Sequence, residues 1–399
     1  MLTSSFPGSP SDETCGYIRD HARSLSVDYD VRVLAPPDCT AQRWPSDAFT
    51  LTRSRSLLPR KLDPLKAGAD LNDLASRGLL ATLGAMLSLV CFFTHALMLA
   101  LQADAICSHW MVPSGLVGAL ISRLLGKPHI VVEHSGALHL LARTRGGKRI
   151  VRFIIDGSDR VVTVSADLKR KLLTLCPEGK NKIEVIPMGI TFPSPGTSIL
   201  SNQSTRIILF IGRLTEIKGL DVLLRAIHGF KNLSLIVAGD GDRRRELQAL
   251  AVALGVDARF VGRVDAAERD HLLEKCDVVV IPSRALPNGR TEGTPVVCLE
   301  AMAAGRTVIA SRVGGLAEAI VDGQNGLLFE PGDHSLLRDK LSLVLGNAGL
   351  QQQLAENARR SAAVYDWKRI GSRYGSIIDC ALRTNDAIGN RGIEASIGG

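Results

Sequence analysis

Residues 206–227 read RIILFIGRLTEIKGLDVLLRAI. The β-branched run RIILFI has the character of a strand, and LDVLLRAI carries its apolar residues at the spacing of an amphipathic helix. Between them the strand ends at Gly212, a tight turn presents Arg213, and Lys218 stands just before the helix. Two cations at a strand-to-helix turn suit a diphosphate, which wants fixed N–H donors and positive charge together. A solvated Arg and Lys on an ordinary loop would carry the same letters, so the turn alone leaves both readings open.

The same strand–helix alternation extends in both directions. After this unit come SLIVAG (234–239), ARFVG (258–262), DVVVIPS (277–283), RTVIAS (306–311) and GLLFE (326–330). Before it come VRVLAP (31–36), DAICSH (104–109), HIVVEH (129–134), RVVTVS (160–165) and KIEVIP (182–187), with a very short first strand in MLTSSFPG. Such alternation predicts parallel sheets built from strand–helix–strand units, an α/β class. TFPSPGTSILSNQS (191–204) is rich in Pro, Gly and Ser and has no period, so the domain boundary is expected there. The expectation is two doubly wound, Rossmann-like domains, 1–195 and 196–370, facing each other across a cleft, with ligands at the C-terminal ends of the strands. A helix over 371–383 is expected to pack back on the first domain, and 384–399 reads as an unstructured tail.

A chain of 399 residues exceeds what one core usually supports, which agrees with two domains. It is 45% hydrophobic and 22% charged, an ordinary globular composition. The net charge of +8 is concentrated N-terminally: residues 1–195 hold 23 Lys+Arg against 17 Asp+Glu, the remainder 25 against 23. That excess would attract nucleic acid, anionic lipid or phosphorylated small molecules, and no zinc-finger, homeodomain or RNP-type pattern supports the first. Eight cysteines lie scattered with no C-x-x-C pair, which reads as reduced thiols in a cytoplasmic protein and argues against a zinc site. The opening residues lack the basic start and apolar stretch of a signal peptide.

One segment reaches membrane scale. GLLATLGAMLSLVCFFTHALMLALQA, between Arg77 and Asp104, carries no charge and exceeds the about 20 apolar residues that cross a bilayer. It reads as a buried core helix, as a helix lying in the membrane interface, or as a span. The strand and helix that follow at once count against the span.

A second stretch raises a chemical question. In TEGTPVVCLEAMAA (291–304), Glu292 precedes a Gly-Thr-Pro bend and Glu300 falls inside an apolar helix, within a strip of Val297, Leu299, Ala301 and Met302. A buried carboxylate needs a partner that offsets its desolvation. Either a ribose diol or a buried Arg, such as Arg306 or Arg213, would do so. Pro295 suits the first position of the helix, whose positive end would then face Glu292, Gly293 and Thr294.

TEGTPVVCLEAMAAGRTVIASRVGGLAEAIVDGQNGLLFEPGD resembles the paired-glutamate motif of the family 4 retaining glycosyltransferases, which have the GT-B fold. GRLTEIKG is similar to that family's phosphate-binding turn, VIPMGI (185–190) to its hinge-proximal turn, VEHSG (132–136) to its His-Gly loop, and AGDGDRRREL (238–247) to the turn after the next strand. The resemblance runs from about residue 3 to about 380. SRALPNGRTEGTPVVCLEAMAAG is also similar to bacterial exopolysaccharide transferases.

The resemblance implies a nucleotide-diphosphate sugar as donor and a saccharide acceptor. By it, Arg213 and Lys218 neutralise the diphosphate, Glu300 binds the ribose hydroxyls, and Glu292 with Gly293 and Thr294 orients the donor sugar. His134 stands near the reacting carbon, Gly16 lets the backbone approach the phosphates, and Val264 touches the base. It also implies retention of anomeric configuration and no metal or other cofactor. Asp240 and Asp242 spell a metal signature of a different transferase fold and read here as a turn. His109–Trp110 reads as wall. The basic clusters at Arg53, Arg55, Arg60 and Lys61 and at Arg143, Arg145, Lys148, Arg149 and Arg152, beside the apolar run, favour a lipid-carried, polyprenyl-linked acceptor. They also favour peripheral contact with the cytoplasmic face of the inner membrane. Basic clusters are also what ordinary solvated faces carry.

Overall fold

The computed structural model describes residues 1–9, 12, 15–37, 48–55, 79–134, 136–192, 205–286, 293 and 295–397. The chain divides into two compact units, Met1–Pro187 with Trp367–Gly399, and Met188–Asp366.

The first unit holds a seven-stranded, all-parallel sheet in the order β3-β2-β1-β4-β5-β6-β7. Its strands are β1 (Leu2–Thr3), β2 (Arg32–Ala35), β3 (Thr50–Arg53), β4 (Ile106–His109), β5 (His129–Glu133), β6 (Arg160–Thr163) and β7 (Ile183–Val185). The chain steps outward from β1 to β3, then returns to lay β4 on the other flank of β1. β3 has no counterpart among the expected strands. It is an edge strand of four residues, TLTR, with no apolar run to announce it.

The second unit holds a six-stranded parallel sheet in the order β10-β9-β8-β11-β12-β13. These strands are β8 (Arg206–Ile211), β9 (Leu233–Ala238), β10 (Ala258–Gly262), β11 (Val278–Ile281), β12 (Thr307–Ser311) and β13 (Leu327–Phe329). Here the direction reverses between β8 and β11, and that pair is the topological switch point. Val278, Val279 and Val280 are buried on both faces of the sheet. Burying a side chain of this size contributes about 1.5–3 kcal/mol, which is why a near-continuous apolar run is required there.

Three expectations change. The units divide at Pro187/Met188, before the Pro/Ser-rich stretch, because Ile190 is buried in the second unit's core and its N–H donates to the Tyr365 carbonyl at 2.8 Å. The linker residues 193–204 themselves lie outside the described residues. The last helix runs from Trp367 to Ile397 and belongs to the first unit, starting before 371 and continuing through the stretch read as an unstructured tail. No proline interrupts 384–397, and each glycine there costs a helix only about 1 kcal/mol. It is held by Tyr29, whose hydroxyl donates to Asp379 Oδ1 at 2.6 Å.

The apolar run forms a helix, Leu79–Ala100, packed on the first sheet. Phe92, Ala96 and Ala100 join Leu34, Val117 and Ile121 in the core. The opposite side is open: Met86 is 62% exposed and Val90 60%, and Leu83, Met98 and Leu101 are exposed with them. The helix is long and apolar enough to cross a membrane, yet only 28% of the window Leu83–Ala100 is buried. It is therefore not an enclosed core helix.

Candidate functional site

In the second unit the turn after β8 is built from backbone pressed on backbone. The Gly212 N–H donates to the Ala238 carbonyl at 3.0 Å, and Leu214 N–H to the Asp240 carbonyl at 3.0 Å. Gly239 sits at φ +141°, where a Cβ would lie 1.9 Å from the Gly212 oxygen, so a side chain there would force the two turns apart. A short 3₁₀ turn, Glu216–Lys218, leads through Gly219 at φ +64° into the helix Leu220–Ile227. A Cβ on Gly219 would meet the Pro282 carbonyl at 2.0 Å, and the Arg284 N–H donates to the Ile217 carbonyl at 2.9 Å. The end of β11 thus clamps the turn that carries Lys218.

Arg213 is exposed, and Lys218 is half-buried with its stem lying across Gly212. Glu300 lies on the helix Val296–Ala303, which follows β11. Both cations and Glu300 therefore flank the β8–β11 pair. Pro295 is the residue before that helix rather than in its first turn. The Gly293 carbonyl accepts from the Gly315 N–H at 3.0 Å, tying this approach to the turn after β12. Glu292 and Thr294 lie outside the described residues.

The partner of Glu300 is neither Arg306 nor Arg213 but Arg269, whose Nη1 stands 2.7 Å from Glu300 Oε1. Both side chains are under a fifth exposed, at 18% and 17%. Arg269 belongs to the helix Ala266–Lys275, whose start is fixed by a capping box between Asp265 and Glu268. Half-buried Val264 immediately precedes that cap. No pattern of letters announces this pair, because 31 residues and two different crossovers separate its members. A carboxylate offers about four lone-pair sites, so one held by an arginine can still accept from a hydroxyl pair.

Asp240 behaves as a turn residue: its Oδ1 accepts from the Gly241 N–H at 2.8 Å. Asp221 receives Arg284 Nη2 at 2.7 Å and Arg243 Nη1 at 3.4 Å. A cavity of about 680 Å³ shares Asp221 and Arg284 with that network and is also lined by Arg225, Gly332 and His334. None of the residues singled out in the sequence lines it.

The first unit assembles a second group at the C-terminal ends of its central strands. Gly16 is buried and is the first residue of the helix Gly16–Leu25, not part of the loop before it, because Cys15 at φ 57° already forms the cap. Tyr17, on that helix, has its ring 5.2 Å from the ring of His134, which follows β5. His109 ends β4 fully buried, and its Nδ1 lies 2.9 Å from His134 Nε2. Trp110 packs 4.9 Å from His134, and the Glu133 carboxylate accepts from the Met111 N–H at 2.9 Å. His21 stacks on Trp367 and lies edge-on to His109. Burial pushes His134 down to about 3, with His21 adding to the effect, and holds His109 well below the ordinary histidine range. The two rings are thus neutral near pH 7 and share one N–H between them. Among the described residues no group of three or more His, Cys, Asp or Glu could hold a metal ion.

Comparisons with known proteins agree along the chain. The family profile described as Glycosyl transferases group 1 matches residues 197–361, and that of the Glycosyl transferase 4-like domain matches 17–189. An uncharacterized glycosyltransferase of Methanocaldococcus jannaschii is 32% identical over 269 residues, 67% of this chain and 72% of that protein. A D-inositol 3-phosphate glycosyltransferase of Stackebrandtia nassauensis is 30% identical over 321 residues, 71% of each. Among solved structures, sucrose-phosphate synthase from Thermosynechococcus elongatus superposes with a TM-score of 0.77 at 20% identity, covering 96% of this chain and 98% of that one. Anabaena HepE in complex with UDP-glucose superposes at 0.70 with 18% identity, covering 95% and 99%. At these identities the likeness speaks for the fold.

Proposed function

The chain belongs to the group 1 glycosyl transferases, with a glycosyl transferase 4-like domain ahead and the GT-B architecture of two Rossmann-like domains, and from that premise we propose that it moves a hexose from a nucleoside-diphosphate sugar to a saccharide acceptor with retention of anomeric configuration. The observation that carries the reading is the β8–β11 switch point, flanked by Arg213 and Lys218 on one turn and Glu300 on the next helix. A structural relative bound to UDP-glucose adds support.

In this reading the diphosphate rests against the Gly212–Lys218 turn. As the bond from the anomeric carbon to the leaving oxygen breaks, negative charge grows there, and Arg213, Lys218 and the N-terminus of Val296–Ala303 stabilise it. Glu300 accepts from the ribose hydroxyls while Arg269 holds its carboxylate in place. Glu292, Gly293 and Thr294 orient the sugar, and Val264 meets the base. Gly16 approaches the phosphates, and His134 the reacting carbon. The acceptor oxygen bonds to the anomeric carbon on the face the diphosphate leaves, and the departing phosphate takes that hydroxyl's proton, so no side-chain base enters the step; Arg213 and Lys218 neutralise the diphosphate, the part a metal would otherwise play.

The acceptor is a lipid-carried saccharide of surface polysaccharide synthesis, met at the cytoplasmic face of the inner membrane. Support comes from the exposed apolar side of Leu79–Ala100 and from Leu120 and Leu124 on the adjoining helix. Exposed Lys148, Arg149 and Arg152 follow on the next helix of the same layer. Apolar surface beside cations grips an anionic leaflet.

A panel of nucleotide sugars offered with lipid extract, with the product's anomeric configuration read by NMR, tests the reaction. An inverted product or no transfer from any donor contradicts it. Val90→Glu with Met86→Glu is expected to release the protein from anionic vesicles in flotation while its circular dichroism is unchanged; unaltered flotation contradicts the membrane reading.

A further inference from the structure

His109 lies outside every motif that carries the proposed chemistry, yet it makes the one described hydrogen bond to the ring of His134, Nδ1 to Nε2 at 2.9 Å. Its other nitrogen, Nε2, is buried with no hydrogen-bond partner among the described residues. A neutral imidazole carries its proton on one nitrogen only. If that proton sat on Nε2, a buried N–H would be left unmatched, which native structures avoid more strongly than a bare lone pair. The proton therefore belongs on His109 Nδ1, and His134 Nε2 accepts it. His134 must then carry its own proton on Nδ1. That atom makes no hydrogen bond among the described residues, and His134 as a whole is only half-buried.

We propose that His109 is a positioning residue: it fixes the ring plane and tautomer of His134 so that His134 offers a hydrogen-bond donor, never an acceptor, to a sugar or phosphate oxygen. The inference rests on the reading of His134 as a site residue. The packing supports it. His109 is itself held from behind by His21, edge-on at 5.2 Å, and His21 is stacked on Trp367 and packed on Tyr374. Tyr17 and Trp110 close on His134 from its other sides at 5.2 and 4.9 Å. With its position fixed this way, His134 cannot easily turn to regain a useful pose once the bond from His109 is gone.

Three measurements on the full chain test this. In wild type, ¹⁵N chemical shifts of His134 should show a protonated Nδ1 and a bare Nε2; the opposite tautomer overturns the proposal. His109→Leu should lower kcat about 10- to 100-fold, the loss that small misplacement of a reacting group produces, while donor KM moves less than about threefold. His109→Asn, whose side-chain amide reaches the place of Nδ1, should recover most of that loss. A wild-type kcat in His109→Leu beside an impaired His134→Ala makes His109 mere wall and sinks the inference alone. A wild-type rate in His134→Ala removes His134 from the site and takes both readings with it. If His109→Leu does not fold, the asparagine variant and the wild-type tautomer still decide.

Discussion

The turn after β8 and the histidine cluster of the first unit both crown the C-terminal ends of central strands, but they are drawn from very different lengths of chain. Gly212, Arg213, Lys218 and Gly219 lie within eight consecutive residues. The cluster draws on positions 17, 21, 109, 134, 367 and 374. The first is a local device: glycines permit close backbone approach, and cations sit where the helix begins. The second is a tertiary device, in which neutral imidazoles and aromatic rings replace charge with packing. One region should answer to a single substitution by losing transition-state stabilisation. The other should answer to pH and to changes in packing.

The largest expected effect belongs to the local device. Lys218→Ala should lower turnover by about two orders of magnitude, as loss of one preorganised donor commonly does. Initial transfer rates at saturating donor check it, and wild-type turnover would remove Lys218 from the site.

Next comes the stability of the packed device. In the first unit burial lowers His21 of that cluster to about 3 and His129, outside it at the start of β5, to about 4, against the ordinary histidine value of about 6.5. The unfolded chain therefore binds protons that the folded unit refuses. The stability is intact above about 6.5 and is lost as pH falls toward 4 and 3. By pH 5 each of these two histidines costs about 2 kcal/mol. All three tryptophans, at 44, 110 and 367, fall in the first unit, so their fluorescence reads that unit alone. Urea titrations at pH 7.5 and 5.0 should shift the tryptophan transition more than the remaining circular-dichroism change. Equal shifts would mean that the two units do not differ in this way.

The smallest effect concerns Arg269. Among the described residues it touches the proposed site only through Glu300, in a pair whose side chains are 18% and 17% exposed, so its loss misplaces a carboxylate and removes no charge from the reacting atoms. Arg269→Ala should raise donor KM about two- to fivefold with kcat unchanged, and a collapse of kcat would place Arg269 on the reacting groups instead.

This contrast also explains what could be read from the letters. Every expected strand is present, because parallel strands buried on both faces require apolar runs, and the turn after β8 was visible because it is contiguous. β3 was not, since a four-residue edge strand needs no such run. The tail was misread because glycine and polar letters do not by themselves stop a helix that has no proline. Arg269 and the His109–His134 contact were hidden for a different reason. Each joins residues on separate crossovers, and the periodicity of one element says nothing about which side chain of another will reach it.

On the proposed function, Arg213, Lys218 and Glu300 serve one nucleotide-sugar. The measurement that meets it most directly is a crystal structure of the full chain soaked with uridine and guanosine diphosphate sugars. The diphosphate is expected against the Gly212–Lys218 turn within hydrogen-bond reach of both cations, and the ribose hydroxyls on the Glu300 carboxylate. A nucleotide bound elsewhere, or bound there with Glu300 turned away from the ribose, would contradict it.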